Sequence, residues 1–435
     1  MEEQPLMDST SAQSIQKQLP LTSVLQREDT DGTTLNDDSS LPTSAVSASL
    51  LPETSLKGWY VAFKNILPTY FTIHLLFFII TCLSVLFSIK DFSSQHLNIS
   101  TLWQSWLHWD TYNYIAVAVN GYSVSWLTAF YPLYPLLVRC LMFLVHDPLI
   151  AGLIVSNLSG LGMLVVLYRV VQEDFDDEVA SRTVLYFSVF PTAFFFAAVY
   201  SESLFLFLTL LSFYQMRHSR WWLAGIFGAL AVLTRPTGLF LLLPFCYEYL
   251  RQHNFKLRNM RFDIASGLCI IAGIGLFALY CYYLFHDPLA FSHAEARWDR
   301  KLSVPGYAVL RTVHAIIISQ GVLSFQSLRN ILDLIPDLFM VVLVILGFVG
   351  PWKFRRDLWV YAIFAAAFFV FPQLFPFAGL YPLQAMARFL LPVFPVFIVL
   401  AAIGKNRKLD VGYLLISGSV LFFLLTQFLT GHWVI

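Results

Sequence analysis

From about residue 58 onward, long apolar runs alternate with short polar breaks. A helix that crosses a bilayer needs roughly 20 mainly apolar residues. Runs of this kind predict about eleven spans, over 69–89, 149–170, 183–199, 201–216, 221–235, 238–250, 263–285, 331–350, 358–373, 388–404 and 410–430. The stretch 130–145 is apolar but different. Pro132 and Pro135 disrupt its first turns and Arg139 interrupts its middle. It reads as a helix lying along, or dipping into, the membrane surface. Residues 1–57 are polar, acidic and rich in Ser and Thr. Such a segment cannot bury enough apolar surface to offset its chain entropy, which predicts a disordered cytoplasmic tail ahead of one transmembrane domain, 58–435.

Charge then orients the chain. With 130–145 off the list of spans, Lys57, Lys64 and the basic segments 217–220, 251–261, 353–356 and 405–408 all fall on one side. Cytoplasmic loops carry the excess of Lys and Arg, so this side is inside. The acidic segment 173–178 joins them, and acidic residues carry little topological weight. Outside lie a first loop, 90–148, a short turn around 195–203, a large loop, 286–330, and the segment 374–387.

Composition agrees. The 435 residues are 57% hydrophobic and 12% charged, with mean hydropathy +0.67, whereas soluble domains carry about 25% charged residues. A polytopic all-α membrane protein is the class that fits. The formal net charge of zero gives no reason to expect a nucleic-acid partner. Cys82, Cys140, Cys246, Cys269 and Cys281 lie in apolar runs without CxxC spacing. They read as small hydrophobes, with no disulfide framework and no zinc site expected. We read no cleavable signal peptide, no phosphate-cradling glycine loop, no heptads and no strong repeat.

Against this apolar background the polar exceptions stand out. The first outside loop holds Ser105-Trp106-Leu107-His108-Trp109-Asp110-Thr111-Tyr112-Asn113-Tyr114. Trp and Tyr suit the headgroup zone as an interfacial belt, but a carboxylate fixed among rings is costly unless it is used. Asp110 is a candidate general base for a sugar hydroxyl, with Trp109 beside it. Glu202, in Tyr200-Ser201-Glu202-Ser203, sits near the outer end of a span. It is either a helix-start residue with Ser201 as its cap or a buried ionisable group needing a partner. Arg235 and Arg388 are outer-end arginines that the positive-inside bias disfavours. A phosphate would explain them, since guanidinium binds it bidentately; snorkelling to headgroups is the alternative. The large loop carries His293-Ala294-Glu295-Ala296-Arg297-Trp298-Asp299-Arg300-Lys301, either a solvated helix face or a source of phosphate-binding cations such as Arg297. Its acidic and His residues lack a metal-ligand spacing, so no metal is expected.

Four stretches together resemble the second GPI mannosyltransferase family and its bacterial relatives, of the GT-C class. They are His108-Trp109-Asp110-Thr111-Tyr112-Asn113-Tyr114 with Gly121-Tyr122; Phe130-Tyr131-Pro132-Leu133-Tyr134-Pro135; Phe190-Pro191-Thr192-Ala193 leading to Tyr200-Ser201-Glu202-Ser203-Leu204-Phe205; and Leu233-Thr234-Arg235-Pro236-Thr237-Gly238. The likeness spans about residues 60–430. It implies a GT-C fold with an outside-facing active site. It also implies a hexose donor, usually mannose, on polyprenyl or dolichyl phosphate, and an acceptor that is a glycan, lipid or protein. The family's loop aspartate falls on Asp110 and its Tyr-Ser-Glu segment on Tyr200, Ser201 and Glu202. Donor phosphate and substrate would meet Arg235, Arg388, Arg297, Glu202, Trp109 and Tyr131. Catalysis by one displacement would invert the anomeric carbon, with no cofactor required. Eukaryotic members tend to read Arg-Ser-Asn-Gly where this chain has Arg235-Pro236-Thr237-Gly238, which favours a bacterial cell membrane over the endoplasmic reticulum. A lipid-linked sugar transporter or flippase, and a catalytically inactive family member, are the competing readings. A transporter would place its ionisable sites near the bilayer midplane, often in repeated halves.

Overall fold

The computed structural model describes residues 56–88 and 98–432. The expected disordered tail therefore falls almost wholly outside the described residues. Among these residues the chain is helical, with no strand and one isolated antiparallel bridge, Arg300 to Phe377. The helices run α1 Leu56–Ser88, α2 Ile99–Gln104, α3 Asp110–Asn120, α4 Leu133–Val145, α5 Pro148–Asp174, α6 Asp177–Ser188, α7 Glu202–Arg217, α8 Trp221–Val232 and α9 Leu242–Gln252. They continue with α10 Gly267–Phe285, α11 Ala290–Ala294, α12 Tyr307–Ile317, α13 Phe325–Phe348, α14 Trp359–Gln373, α15 Met386–Phe389, α16 Pro395–Ile403 and α17 Arg407–Leu429. Short 3-10 turns join several of them, among them Ser125–Ala129, Ala193–Phe196, Pro236–Leu241 and Glu295–Trp298.

Five helices are long and apolar enough to cross a membrane: α1, α5, α10 with the turn before it, α13 and α17. The protein is thus a multi-pass integral membrane protein. The remaining expected spans are shorter or broken, and proline explains where. Proline has no N–H and its ring clashes with the preceding turn. The expected span 183–199 is two pieces, α6 and the 3-10 turn Ala193–Phe196, parted at Pro191. The span 388–404 is α15 and α16, parted at Pro392. The span 238–250 begins as the 3-10 turn opened by Pro236 and becomes α9. The segment 130–145 forms α4, a 13-residue helix; at 1.5 Å per residue this reaches about 20 Å, too short for the hydrocarbon core. It buries Tyr134, Pro135 and Val138 and leaves Phe143 and Leu144 exposed.

α7 is the centre of the bundle. It is buried along nearly its whole length and packs on α5 and α8, as a helix apolar on all sides must. Its first residue, Glu202, and its last, Arg217, each anchor an ion-pair network. At 1.5 Å rise per residue the two lie about 22 Å apart. At the Arg217 end, its guanidinium meets Asp174 (2.5 Å), Glu248 (3.1 Å) and the Asp357 carbonyl (3.0 Å). At the Glu202 end the partners are Arg235, Arg388 and, through Arg388, Asp110. Residues 174, 217, 248 and 357 therefore share one end, and 110, 202, 235 and 388 the other. The short helices α7, α8 and α9 and the 359–389 segment each carry the chain from one end to the other despite their length.

Candidate active site

Asp110 opens α3, where the helix dipole favours a carboxylate. The residue before it is strained. Trp109 has φ 53° and ψ −120°, a region that side chains rarely adopt and that costs about 1–3 kcal/mol. This kink turns the chain from the 3-10-like approach into α3 and holds Asp110 at the mouth of the bundle. Its backbone N–H donates to the Tyr200 hydroxyl at 3.3 Å.

Glu202 begins α7 after the break at Pro191. Ser201 occupies the cap position but makes no side-chain cap bond; its hydroxyl instead pairs with the Tyr114 hydroxyl at 2.8 Å. The expected capping role is therefore not what the structure shows, because α3 presents a closer partner. Glu202 is 1% exposed, far from grazing the surface. Arg388 Nε donates to its Oε1 at 2.6 Å, and Arg235 Nη1 lies 2.6 Å from the same oxygen. Arg388 Nη1 donates in turn to Asp110 Oδ2 at 2.8 Å. The Arg388 guanidinium also lies over the Tyr200 ring (4.5 Å to the centroid) and the Phe195 ring (5.1 Å). Two acids and two arginines thus form one continuous network that cancels in formal charge. The arginines that the sequence reserved for phosphate are held by carboxylates here, since neither could sit this deep without a counter-charge.

The surrounding contacts tie the remaining motifs to this network. Thr192 Oγ1 donates to the Ala387 carbonyl at 2.9 Å, fixing the residue next to Arg388. The Leu133 N–H donates to the Leu233 carbonyl at 3.0 Å, joining the Phe-Tyr-Pro segment to the end of α8 just before Arg235. Gly238 packs directly on the α8 backbone: a Cβ there would lie 2.6 Å from the Val232 nitrogen. Four stretches scattered over the sequence therefore converge on one end of the bundle. Asp110 remains open, its side chain 24% exposed against 13% for Arg388.

Two of the expected site residues lie elsewhere. Tyr131 is buried against Phe277 and Phe291 in a small separate cluster with Cys281 and Ala290. Its hydroxyl has no hydrogen-bond partner among the described residues. Arg297 stacks on Trp126, 4.2 Å from the ring centroid. Arg297 and Trp126 line a cavity of about 160 Å³ with Ser125, Asp287 and His293, and Asp287 pairs with His293 at 2.8 Å. Two other residues of the large loop approach the network instead. Arg300 lies over the Phe389 ring at 4.8 Å, the same ring that Arg388 approaches at 5.9 Å. The Glu295 carboxyl sits among protein that desolvates it, which raises its pKa; Arg300 and Arg235 oppose the shift and Asp110 adds to it. Both stand in a charged run, but nothing local prefers Arg300 over Arg297, because the pairing of residues 299–303 with 374–378 is what places it. The described residues contain no group of three or more His, Cys, Asp or Glu that could hold a metal.

Comparison with known proteins identifies the family. Residues 75–356 match the mannosyltransferase (PIG-V) family. Among curated proteins, GPI mannosyltransferase 2 of Schizosaccharomyces pombe is 28% identical over 145 residues, covering 32% of this chain and 31% of that protein. GPI alpha-1,6-mannosyltransferase 2 of Rattus norvegicus is 33% identical over 144 residues, covering 30% and 29%. The matched region thus spans about a third of the length of these relatives. Among solved structures, the Archaeoglobus fulgidus oligosaccharyltransferase in the apo form aligns with 83% of this chain and 56% of its own, at 13% identity and a TM-score of 0.44. The family match runs from α1 to the loop after α13, through Asp110, Glu202, Arg235 and the large loop, and the chain belongs to the PIG-V mannosyltransferase family.

Proposed function

We propose that the protein transfers a hexose, mannose on the strength of its family, from a polyprenyl- or dolichyl-phosphate donor to an acceptor hydroxyl on the outer face of the membrane, with inversion. The observation that carries this reading is the salt-bridged but accessible Asp110. Arg388 occupies Oδ2, which orients the carboxylate and leaves Oδ1 to accept the proton of an incoming hydroxyl. As that proton moves, the acceptor oxygen bonds to the anomeric carbon and the bond from that carbon to the phosphate oxygen breaks. The electron pair leaves with the lipid phosphate. Guanidinium groups close to this oxygen favour the developing charge, more strongly where water is excluded. Glu202 touches neither reactant in this scheme; it holds Arg235 and Arg388 in place. A lipid phosphate is already a good leaving group, so the scheme needs no nucleotide and no resident cofactor. The Arg235-Pro236-Thr237-Gly238 sequence favours a bacterial cell membrane over the endoplasmic reticulum.

The test is transfer from labelled polyprenyl-phosphate-mannose by purified protein in lipid nanodiscs. Asp110→Asn should reduce turnover by roughly 10²–10⁴-fold, the usual weight of a positioned base, with donor binding retained. Full activity in that variant would remove Asp110 as the base. One observation speaks for the transporter reading: α13 buries Asp333 and Asp337 inside a membrane helix, with Gln373 donating to Asp337. Movement of the sugar lipid across liposomes without any transfer product would favour that reading over the enzyme.

A further inference from the structure

Beside the network around Asp110, one arginine makes no ion pair among the described residues. Asp110 and Glu202 match Arg235 and Arg388, but Arg300 is held differently. Its Nη1 donates to the Phe375 carbonyl at 3.1 Å and its Nη2 to the Gln384 carbonyl at 3.2 Å. Among the described residues no carboxylate lies within ion-pair distance of it. Carbonyls orient a guanidinium without neutralising it. The backbone on either side is pinned as well: the Ala378 N–H donates to the Asp299 carbonyl (3.1 Å), and the Lys301 N–H to the Pro376 carbonyl (3.4 Å). Arg300 is thus a half-buried, pre-positioned cation beside Arg388, the two sharing the Phe389 ring. Burial lowers its pKa and Arg388 adds to that, while Glu295 works the other way. A cation held under those conditions gains from an anion more than one in open water does.

We propose that Arg300 receives the phosphate of the lipid-linked ligand, and that the Glu295 carboxylate opposes it, so that these two residues set the affinity of the site for a phosphate ester. This rests on the reading of the donor as a lipid phosphate. Arg297, which the sequence favoured, is placed in the cavity over Trp126 and takes no part. Arg235 and Arg388 already have counter-charges, so the ligand need not displace an ion pair to bind. Glu295 makes no ion pair among the described residues and keeps part of its surface open, so its charge is free to repel a nearby phosphate.

Binding of a polyprenyl monophosphate, the product of the proposed reaction, tests this directly, in nanodiscs of neutral phosphatidylcholine. Arg300→Met should weaken binding by roughly 10- to 100-fold, the weight of a lost charge-assisted hydrogen bond. Arg300→Lys, which keeps the charge, should lose less. Glu295→Gln should tighten binding, and Arg297→Met should leave it unchanged. The Glu295 arm separates an anion receptor from a merely structural arginine, because it keeps every Arg300 contact and changes only charge. It also keeps the proposal testable if Arg300→Met does not fold. Equal binding by folded Arg300→Met, or binding by Glu295→Gln no tighter than wild type, overturns the proposal. A second arm uses nanodiscs containing anionic phosphatidylglycerol and a fluorescent analogue of that lipid. Arg300-dependent binding of the bilayer lipid, with none of polyprenyl phosphate, would overturn the donor reading and leave Arg300 as a phosphate receptor for headgroups.

Discussion

Glu202 illustrates how a single buried charge organises its neighbours. One oxygen serves both Arg388 and Arg235 while the other has no partner among the described residues. Removing one member of a buried pair leaves the rest uncompensated, at about 3–5 kcal/mol. Glu202→Gln should therefore lower the thermal unfolding midpoint in detergent as well as the turnover, whereas Asp110→Asn, at the open edge of the network, should lower turnover with little change in midpoint. A Glu202→Gln protein as stable as wild type would mean that the two arginines find other counter-charges. Glu295 makes a prediction of the opposite kind. Its desolvated carboxyl binds a proton more tightly in the folded chain than its ordinary value of 4.5 allows. Stability should then fall as pH rises from about that ordinary value through the higher folded one, and level off beyond it. Glu295→Gln should abolish that fall, and the two unfolding curves should separate as pH rises. Curves that stay parallel across the acid range would show that Glu295 is not desolvated.

At the scale of elements, sequence and structure agree best where hydropathy alone decides. α5, α10, α13 and α17 lie close to their expected positions because long apolar runs have few alternatives, and α1 ends where expected but starts at Leu56, ahead of the expected 69. The shorter pieces were harder to read. Apolar runs continue through Pro191 and Pro392, so hydropathy counts one span where the backbone makes two pieces. The site was partly legible: outer-end arginines and an aromatic-bound aspartate were conspicuous as charges out of place. Their pairing was not legible, because Asp110 and Arg388 stand 278 positions apart and nothing local indicates which acid meets which base. Arg297 was favoured over Arg300 for the same reason, the register of the large loop being set by contacts with residues 374–378. The 3-10 turn Pro236–Leu241 offers a test at this scale. Its Gly238 lies against α8 so closely that a Cβ would meet the backbone of Val232 and Ala231. Gly238→Ala should push the turn away from α8 and shift Arg235 from Glu202, costing about 1–3 kcal/mol as overpacking usually does. Gly275→Ala, within α10 where a Cβ meets nothing within 4 Å, is the control and should leave activity unchanged, with stability equal or higher. Loss of activity in the first without loss in the second would tie the turn to the network.

For the whole molecule, the two ends of α7 differ in how their cations are used. At the site end Arg235 and Arg388 pair with carboxylates, Arg300 and Arg311 with backbone carbonyls, and Arg297 and Arg329 stack on Trp126 and Tyr381. At the other end Arg217 and Arg251 pair with carboxylates too, but Arg220, Lys256 and Lys405 are exposed in short connections and Lys408 in the first turn of α17. Orientation responds to Lys and Arg in short loops near span ends, so the Arg217 end should face the cytoplasm and the Asp110 end the outside. The same assignment puts the proposed chemistry on the face where a sugar already carried by a lipid would be used. Single cysteines placed at Arg220, Lys405 and Lys301, in a background without the native cysteines, test this with a membrane-impermeant thiol reagent on sealed vesicles of known orientation. Positions 220 and 405 should react from the cytoplasmic side and 301 from the other. Reaction of 220 and 301 from one side would contradict the crossing of α7 and α8 from end to end. Complete reversal would keep the fold and move the site to the cytoplasmic face, where the donor would have to be presented from the inner leaflet.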